Sequence, residues 1–506
     1  MPTFNFVRKS FYRDSVTLMR LSRDLELMAG VTSAAAMMAT PQNRALLAEA
    51  GLLSPEGEAA GNADLIVAVV ADCVESADAA RENIERALLT RPPRAPGAVA
   101  AVPRTLAGAL RVLADANLAL ISVPGLYAGA EAMRALRAGL HVMLFSDNVP
   151  VVTEVELKRV ALERGLLMMG PDCGTAILDG VPLGFANAVP RGRIGLAGAS
   201  GTGLQEVTSV IARQGEGVSQ AIGVGGRDLS DAVGGAMMLR ALELLAGDAE
   251  TQVICVVGKP PEPAVARRLG DVLERLDKPC VVYVPGGGVL TGRRVTTLAT
   301  LEDAGRAAVA LARGETPAPV EFTRPVAEIE ALIEEGVRGL DGVQRFVRGV
   351  YAGGTLAHEA VALLGARLGD VAPSLTGDGH GHRVTDLGAD VFTRGRPHPM
   401  IDGHVRREWI TKEGRDTPTA VVLLDVVLGS GTPADPVGEL LSAIRAVRQT
   451  RHVAVVASVC GTDGDTPSRA AQAATLRAAG VIVMDSNAQA ARLAAAIAQR
   501  AGAPGR

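Results

Sequence analysis

The feature that most constrains this chain is an apolar strand that runs into a glycine-rich turn and then a helix, RGRIGLAGASGTGLQE (Arg191 to Glu206). Ile194 to Ala197 reads as the strand, and Gly198, Ala199, Ser200, Gly201, Thr202 and Gly203 as the turn. A helical pattern begins at Leu204. The first turn of a helix leaves backbone N–H groups unpaired and carries roughly half a positive charge, so an anion settles there when no side chain blocks its approach. The stretch is therefore a candidate phosphate seat, with an unliganded tight turn as the alternative. The spacing mimics the start of a Walker A loop. Leu204 and Gln205 stand where that motif needs Lys and Ser/Thr, which excludes an ordinary nucleotide P-loop.

A chain of 506 residues predicts several domains with real apolar cores. The net charge of −4 is spread along the sequence, so there is no nucleic-acid footprint and no polybasic membrane patch. Cys73, Cys173, Cys255, Cys280 and Cys460 lie far apart with no CxxC pair, as expected of reduced thiols in a cytoplasm. The start, MPTFNFVRKSFYRDS, lacks a signal-peptide pattern, and no apolar run reaches the roughly 18 residues of a spanning helix. A cytoplasmic protein acting on small molecules is the expectation. Abundant Ala and Gly with 3% aromatics favour α/β layers, in which small residues let helices lie close on a sheet.

Periodicity divides the chain into an N-terminal α/β unit (1–90), a proline-bearing linker RPPRAPGAV, and three doubly wound units. The first of these, 100–190, alternates helices with the strands LALISVP, HVMLFS and LLMMG. Its strand tips are Pro124-Gly125, Ser146-Asp147-Asn148 and Gly170-Pro171-Asp172. A second unit covers 191–315, with loop residues Gly225, Gly226, Arg227, Asp228 and Lys259. A third, 345–506, opens with VYAGGTLAHEA. Parallel sheets covered on both faces follow from apolar strands alternating with amphipathic helices, and ligands of such sheets bind at the carboxyl ends of the strands.

The densest polar stretch is Asp378 to Arg407, with His380, His382, His398, His404, Asp386, Asp390, Arg394, Arg396, Asp402 and Arg406. Asp378-x-His380-x-His382 could face a divalent metal from one side of an extended segment. Arg394, Arg396 and His398 could instead clamp a carboxylate, since a guanidinium grips two oxygens at once. An interface loop is the third reading. Cys173 is read as a packing residue beside a backbone anion site rather than a nucleophile, because no histidine is near it in sequence. Lys259 could meet a carboxylate or phosphate.

Together GPDCGTAI, GLAGASGTG, GVGGRDLSD and GRPHPMID resemble the FdrA family, built on the succinyl-CoA synthetase scaffold, over nearly the whole chain. The resemblance implies a Rossmann-like CoA-binding-type domain followed by two flavodoxin-like ligase domains. It maps a GPNCPG-like segment onto Gly170 to Gly174, an SRSGT-like helix start onto Gly198 to Thr202, and a GIGGD-like loop onto Gly223 to Arg227. Leu423 to Pro436 would be a phosphate-side loop of the last domain, with Ser458 to Asp465 the next.

The departures matter as much. A synthetase α subunit carries a phosphorylated histidine shortly after the VPGGG position, and VLTGRRVTTLATLEDAG holds no histidine. The glutamate that would orient it is replaced by Gly258-Lys259. No glycine loop cradles a pyrophosphate in residues 1–30, and no segment matches an ATP-grasp domain. The resemblance then implies carbamoyl transfer, since FdrA-type proteins are linked to oxamate carbamoyltransferase in allantoin and purine breakdown, working with companion subunits in an oligomer.

On this reading Gly198, Ser200, Gly201, Thr202 and Gly203 hold the phosphoryl end of carbamoyl phosphate or an acyl phosphate, with Asp172, Cys173 and Gly174 beside them. Ser200, Arg227 and Lys259 serve catalysis. Arg394, Arg396, His398 and Asp402 bind a small carboxylate. CoA at the tips near Pro124 and Ser146, in an acyl-CoA synthetase-like subunit, and a non-catalytic scaffold subunit are the alternatives. No metal, nucleic acid or membrane is expected.

Overall fold

The computed structural model describes residues 3–13, 15–89, 103–285, 290–374, 381–393 and 397–503. These divide into two compact units, residues 1–112 with 390–397, and residues 113–389 with 398–506. In the first unit the strand Leu65–Ala71 lies between Thr3–Arg8 and Val31–Met38, antiparallel to both. Its sequence LIVAVVA is apolar on both faces because both are covered. Leu18, Leu21 and Leu25 with Ile84 and Leu88 cover one face, and Leu47 covers the other. The linker expected at RPPRAPGAV lies outside the described residues.

The larger unit holds three sheets. A small parallel one runs Leu118–Ile121, His141–Leu144, Met168–Met169. A seven-stranded middle sheet has five parallel strands in the order Val295–Leu298, Cys280–Tyr283, Val253–Val257, Arg191–Gly198, Val218–Gly223. Numbered along the chain this is 5-4-3-1-2, the flavodoxin order read from its other edge. The hairpin Thr175–Leu178 and Val181–Gly184 extends this sheet antiparallel to Val218–Gly223, rather than closing the small sheet before it.

The C-terminal sheet has six parallel strands, Val371–Ser374, His382–Asp386, Phe346–Tyr351, Thr419–Val427, Ala454–Cys460 and Ile482–Met484. Its chain order is 2-3-1-4-5-6, which departs from the flavodoxin order by an extra strand beside the first. The strand TAVVLLDVV is buried along its whole length, and its one charged residue, Asp425, is fully buried.

Two helices from each sheet fill the space between them. Gly201–Arg213 and Leu301–Ala312 pack on the middle sheet; Gly354–Leu368 and Asn487–Ala501 pack on the C-terminal one. Leu204, Val207, Leu301, Leu356, Leu364 and Leu493 share one continuous core, so the two sheets and the helical layer between them stand as one body.

Candidate functional site

Each of the two large sheets has a switch point, where the chain passes from one side of its first strand to the other. Ligands of open α/β sheets settle in the crevice at such points. In the middle sheet it lies between Arg191–Gly198 and Val253–Val257, whose ends are Gly198 and Val257. The first end leads to Ser200 and the second to Lys259. In the C-terminal sheet it lies between Phe346–Tyr351 and Thr419–Val427.

Both first strands turn directly into a helix of the shared layer, and the two helix starts meet. The helix Gly201–Arg213 begins three residues before the expected Leu204 because Ser200 caps it: Ser200 Oγ accepts from the Gly203 N–H at 2.9 Å. The helix Gly354–Leu368 is capped by Gly353. Ser200 Oγ hydrogen-bonds Thr355 Oγ1 across the gap. In return, a Cβ on Gly353 would stand 3.2 Å from Thr202 Cβ and 3.1 Å from an Asp425 carboxylate oxygen. Cap meets second helical residue in both directions, and a side chain at 353 would crowd the approach.

Two positive helix ends so placed repel by about 1 kcal/mol at a surface-like dielectric. Part of the charge is met internally, since Asp425 accepts from the Ala352 and Gly353 N–H groups at 2.9 and 2.7 Å and pairs with the buried Arg406 guanidinium at 2.9 Å. The N–H groups of Gly201, Thr202, Gly354 and Thr355 have no acceptor among the described residues. Four open donors on two facing positive ends can hold an oxyanion.

Charged side chains line the same place. Lys259 is exposed at the middle sheet's switch point, and a Cβ on Gly226 would be 3.6 Å from both its Nζ and Asp172 Oδ2. Asp386, at the end of His382–Asp386, lies against Gly354: a Cβ there would be 2.8 Å from its Oδ2. Burial pushes the Asp386 carboxyl up to about 6, with Asp425 adding to the rise and His358 and Lys259 opposing it. His358, exposed on the first turns of the second helix, has Nδ1 2.6 Å from the Gly354 carbonyl oxygen.

Other residues expected at the site are engaged elsewhere. Arg227 pairs with buried Glu154 at 2.9 Å and donates to the Val149 carbonyl at 2.7 Å. Glu154, Lys158 and Asp228 form a buried ion cluster with both contacts to Lys158 at 2.8 Å, and Asp228 also accepts from the Met237 and Met238 N–H groups. The GVGGRD loop is thus pinned from beneath. The backbone N–H groups of Asp172 and Cys173 are spent on the Ser146 and Leu144 carbonyls, which withdraws them from anion binding. The Cys173 thiol is buried, donates to the Thr175 and Gly223 carbonyls, and is pushed up to about 12 by burial.

The polar stretch also divides. Asp378, His380, Arg394 and Arg396 lie outside the described residues. His382 Nδ1 accepts from the Val347 N–H at 3.1 Å, a sheet contact. Asp402 caps a turn by accepting from the His404 N–H at 2.7 Å. His398 packs near Phe185, and burial and the Arg406 charge push it down to about 4, so it brings a neutral imidazole rather than a cation to any clamp. Asp390, whose side chain is not described, begins the short helix Asp390–Thr393. The loops expected on the phosphate side of the last domain instead join the sheets: Asp465 accepts from Asn187 Nδ2 and the Ala188 N–H at 2.9 and 2.7 Å, and the Leu428 carbonyl accepts from Asn187 and Gln205. Near the tip proposed for CoA, Ser146 is buried with its hydroxyl donated to the Val123 carbonyl.

Gly353, Gly354, Thr355, His358 and Asp425 were not singled out from the sequence, and Asp386 was named only as one member of the polar stretch. A signal was present, because FVRGVYAGGT repeats the strand, small residues and helix start of the Ser200 seat.

The chain is 39% identical over 520 residues to the YahF protein of Escherichia coli, a match covering 95% of this chain and 96% of that protein. The chain belongs to the YahF family. Within this YahF-type chain, three family models match in series: "AllF, heavy metal-associated domain" over residues 1–102, "CoA binding domain" over 190–286 and "CoA-ligase" over 350–497. The chain is also 28% identical to the SauD subunit of the ADP-forming sulfoacetate-CoA ligase of Bilophila wadsworthia, over 43% of this chain and 76% of that one. It is 27% identical to the α subunit of the ADP-forming succinate–CoA ligase of Staphylococcus epidermidis, over 36% of this chain and 60% of that one. Among solved structures, the ATP citrate lyase of Methanothrix soehngenii in complex with citrate and coenzyme A aligns at 12% identity and a TM-score of 0.35, covering 79% of each chain. The α/β assignment rests on the sheets themselves.

The CoA-binding model contains the Ser200 seat and the CoA-ligase model contains the Gly353 seat, so acyl-CoA ligase-like domains supply the two faces of the site. The heavy-metal label of the first model does not fit the residues present. Residues 1–102 hold no histidine and the single cysteine Cys73, whose Sγ lies 3.2 Å from Ser76 Oγ. Among the described residues no group of three His, Cys, Asp or Glu side chains is placed to hold a metal. No described helix is long and apolar enough to cross a membrane.

Proposed function

We propose that the chain is a subunit of a group-transfer complex in which the facing helix starts at Ser200 and Gly353 bind the phosphoryl end of carbamoyl phosphate, and the carbamoyl group passes to the nitrogen of a small carboxylate-bearing amide. The observation that carries this reading is the pair of abutting helix ends with open N–H groups on Gly201, Thr202, Gly354 and Thr355 and with Lys259 at the switch point. Donors fixed before the reaction stabilise charge that grows on the departing phosphate without reorganising. A lysine at 259, where the resemblance would place a histidine-orienting carboxylate, suits binding a phosphate dianion rather than positioning a phosphohistidine. No histidine occurs between His141 and His358, which removes a relay from the segment that follows Cys280–Tyr283.

The acyl-CoA ligase reading stays beside it, favoured by the matches to the CoA-binding and CoA-ligase models. The named relatives SauD and the succinate–CoA ligase α chain are themselves subunits, which supports companion chains here. One experiment separates the two. The complex recovered from its host on a tag carried by this chain is assayed with carbamoyl phosphate plus oxamate, and in parallel with ATP, CoA and succinate. Phosphate release that depends on oxamate supports carbamoyl transfer. Thioester formation without such release overturns it in favour of the ligase.

A further inference from the structure

The groups that can move a proton gather on one side of the seat. His358 lies one turn along the helix from Gly354, and its Nδ1 faces the Gly354 carbonyl oxygen at 2.6 Å. A carbonyl only accepts, so Nδ1 carries the proton of the neutral ring and Nε2 keeps its lone pair. The side chain is exposed, which leaves Nε2 open to a substrate. Asp386 presses on the same Gly354, its Oδ1 held by the Gly388 N–H at 2.9 Å. Asp425 and Lys259 also act on the Asp386 carboxyl. A base with a free lone pair, a carboxylate beside it and an anion seat one turn away are the parts of an acid–base dyad next to a leaving group.

We propose that His358 is the general base of the transfer, taking the proton from the acceptor nitrogen at Nε2, and that Asp386 is a positioning residue that favours the resulting imidazolium. This rests on the carbamoyl-transfer reading. In the step, the acceptor's amide nitrogen forms a C–N bond to the carbonyl carbon of carbamoyl phosphate while the C–O bond to phosphate breaks. The nitrogen's proton passes to Nε2 and then to the departing phosphate, which leaves as hydrogen phosphate. No oxidant, reductant or further reactant is needed.

The test uses the tagged complex with carbamoyl phosphate and oxamate. His358→Gln should lower kcat about 100-fold or more, the usual worth of a positioned base, with KM for carbamoyl phosphate changed less than about 2-fold. Imidazole added to His358→Ala should restore part of kcat, which a merely structural histidine would not allow. Asp386→Asn should lower kcat by about 10-fold with the same KM. Wild-type kcat in His358→Gln overturns the inference while leaving the phosphate seat standing. So does a loss in His358→Ala that imidazole does not relieve. A wild-type complex that releases no phosphate from this substrate pair overturns the carbamoyl-transfer reading and this inference with it.

Discussion

The two helix starts at the centre of the larger unit are built alike and equipped differently. Each follows the first strand of a parallel sheet, each enters the shared helical layer, and each presents open N–H groups to the other. The Ser200 start is capped by a neutral hydroxyl and has a lysine, Lys259, beyond the neighbouring strand. The Gly353 start has no side-chain cap and is surrounded by carboxylates, with Asp425 on its first N–H groups and Asp386 against Gly354. Anion binding needs positive charge left unspent, whereas proton transfer needs groups whose charge can change. On the proposed reading the middle domain faces the anion and the C-terminal domain handles the proton.

The comparison breaks most severely at Asp425. Asp425→Ala leaves the Arg406 guanidinium buried without its partner and frees two N–H groups beneath the Gly353 start. A loss of about 3 to 5 kcal/mol is expected in denaturant unfolding. The Ser200 start has no such buried dependence.

Gly353→Val should cost about 1 to 3 kcal/mol, because its side chain must enter the contacts with Thr202 and Asp425. It should also weaken binding of inorganic phosphate, read by calorimetry. Unchanged binding would separate the two helix starts and break the paired-seat picture.

Asp386 sharpens the contrast through pH. Its carboxyl is raised in the fold from 3.8 to about 6, chiefly by burial, so the folded state favours the protonated form. That contribution is intact below pH about 4 and is lost as pH rises through about 6. The stability of Asp386→Asn relative to wild type should therefore rise by about 1 to 2 kcal/mol between pH 4 and pH 8, a range kept modest by the partial exposure of the group. A flat difference across that range would remove Asp386 from the list of groups whose charge can change.

The smallest effect falls on the other start. Ser200→Ala removes the cap on the Gly203 N–H and the link to Thr355, for a cost of about 1 kcal/mol. Its loss of phosphate affinity should be smaller than that of Gly353→Val, because the open N–H groups belong to the backbone and survive the change.

Much of this was legible in the residues. The apolar strands and the glycine-rich turn at Gly198 to Gly203 follow from periodicity and from glycines between a strand and a helix, whereas the flavodoxin-like wrapping of the middle sheet is what the family resemblance implies. The relay histidine's absence and the lysine at 259 are plain in the sequence as well. Sequence places Arg227 and Asp172 at strand tips and says nothing of the buried Glu154 that pairs with Arg227 or of the Ser146 carbonyl that takes the Asp172 N–H, while the Asp172 carboxylate stays against Gly226 as Lys259 does. The sequence places His398 beside Arg394 and Arg396 but does not display the burial that pushes its imidazole down to about 4.

What the sequence determined by itself is local: which segments are strands, where a glycine-rich turn leads into a helix, and which loops carry charge. The meeting of the two helix ends is a tertiary fact. Ser200 and Thr355 lie 155 residues apart, and no local pattern pairs them. Their junction is decided by the helical layer that both sheets must bury, since Leu204, Leu301, Leu356 and Leu493 find a common core only when the helices from the two sheets pack together. The same packing carries His358 and Asp386 to the seat, because a strand and a helix fixed in that layer have one place in which their ends can lie.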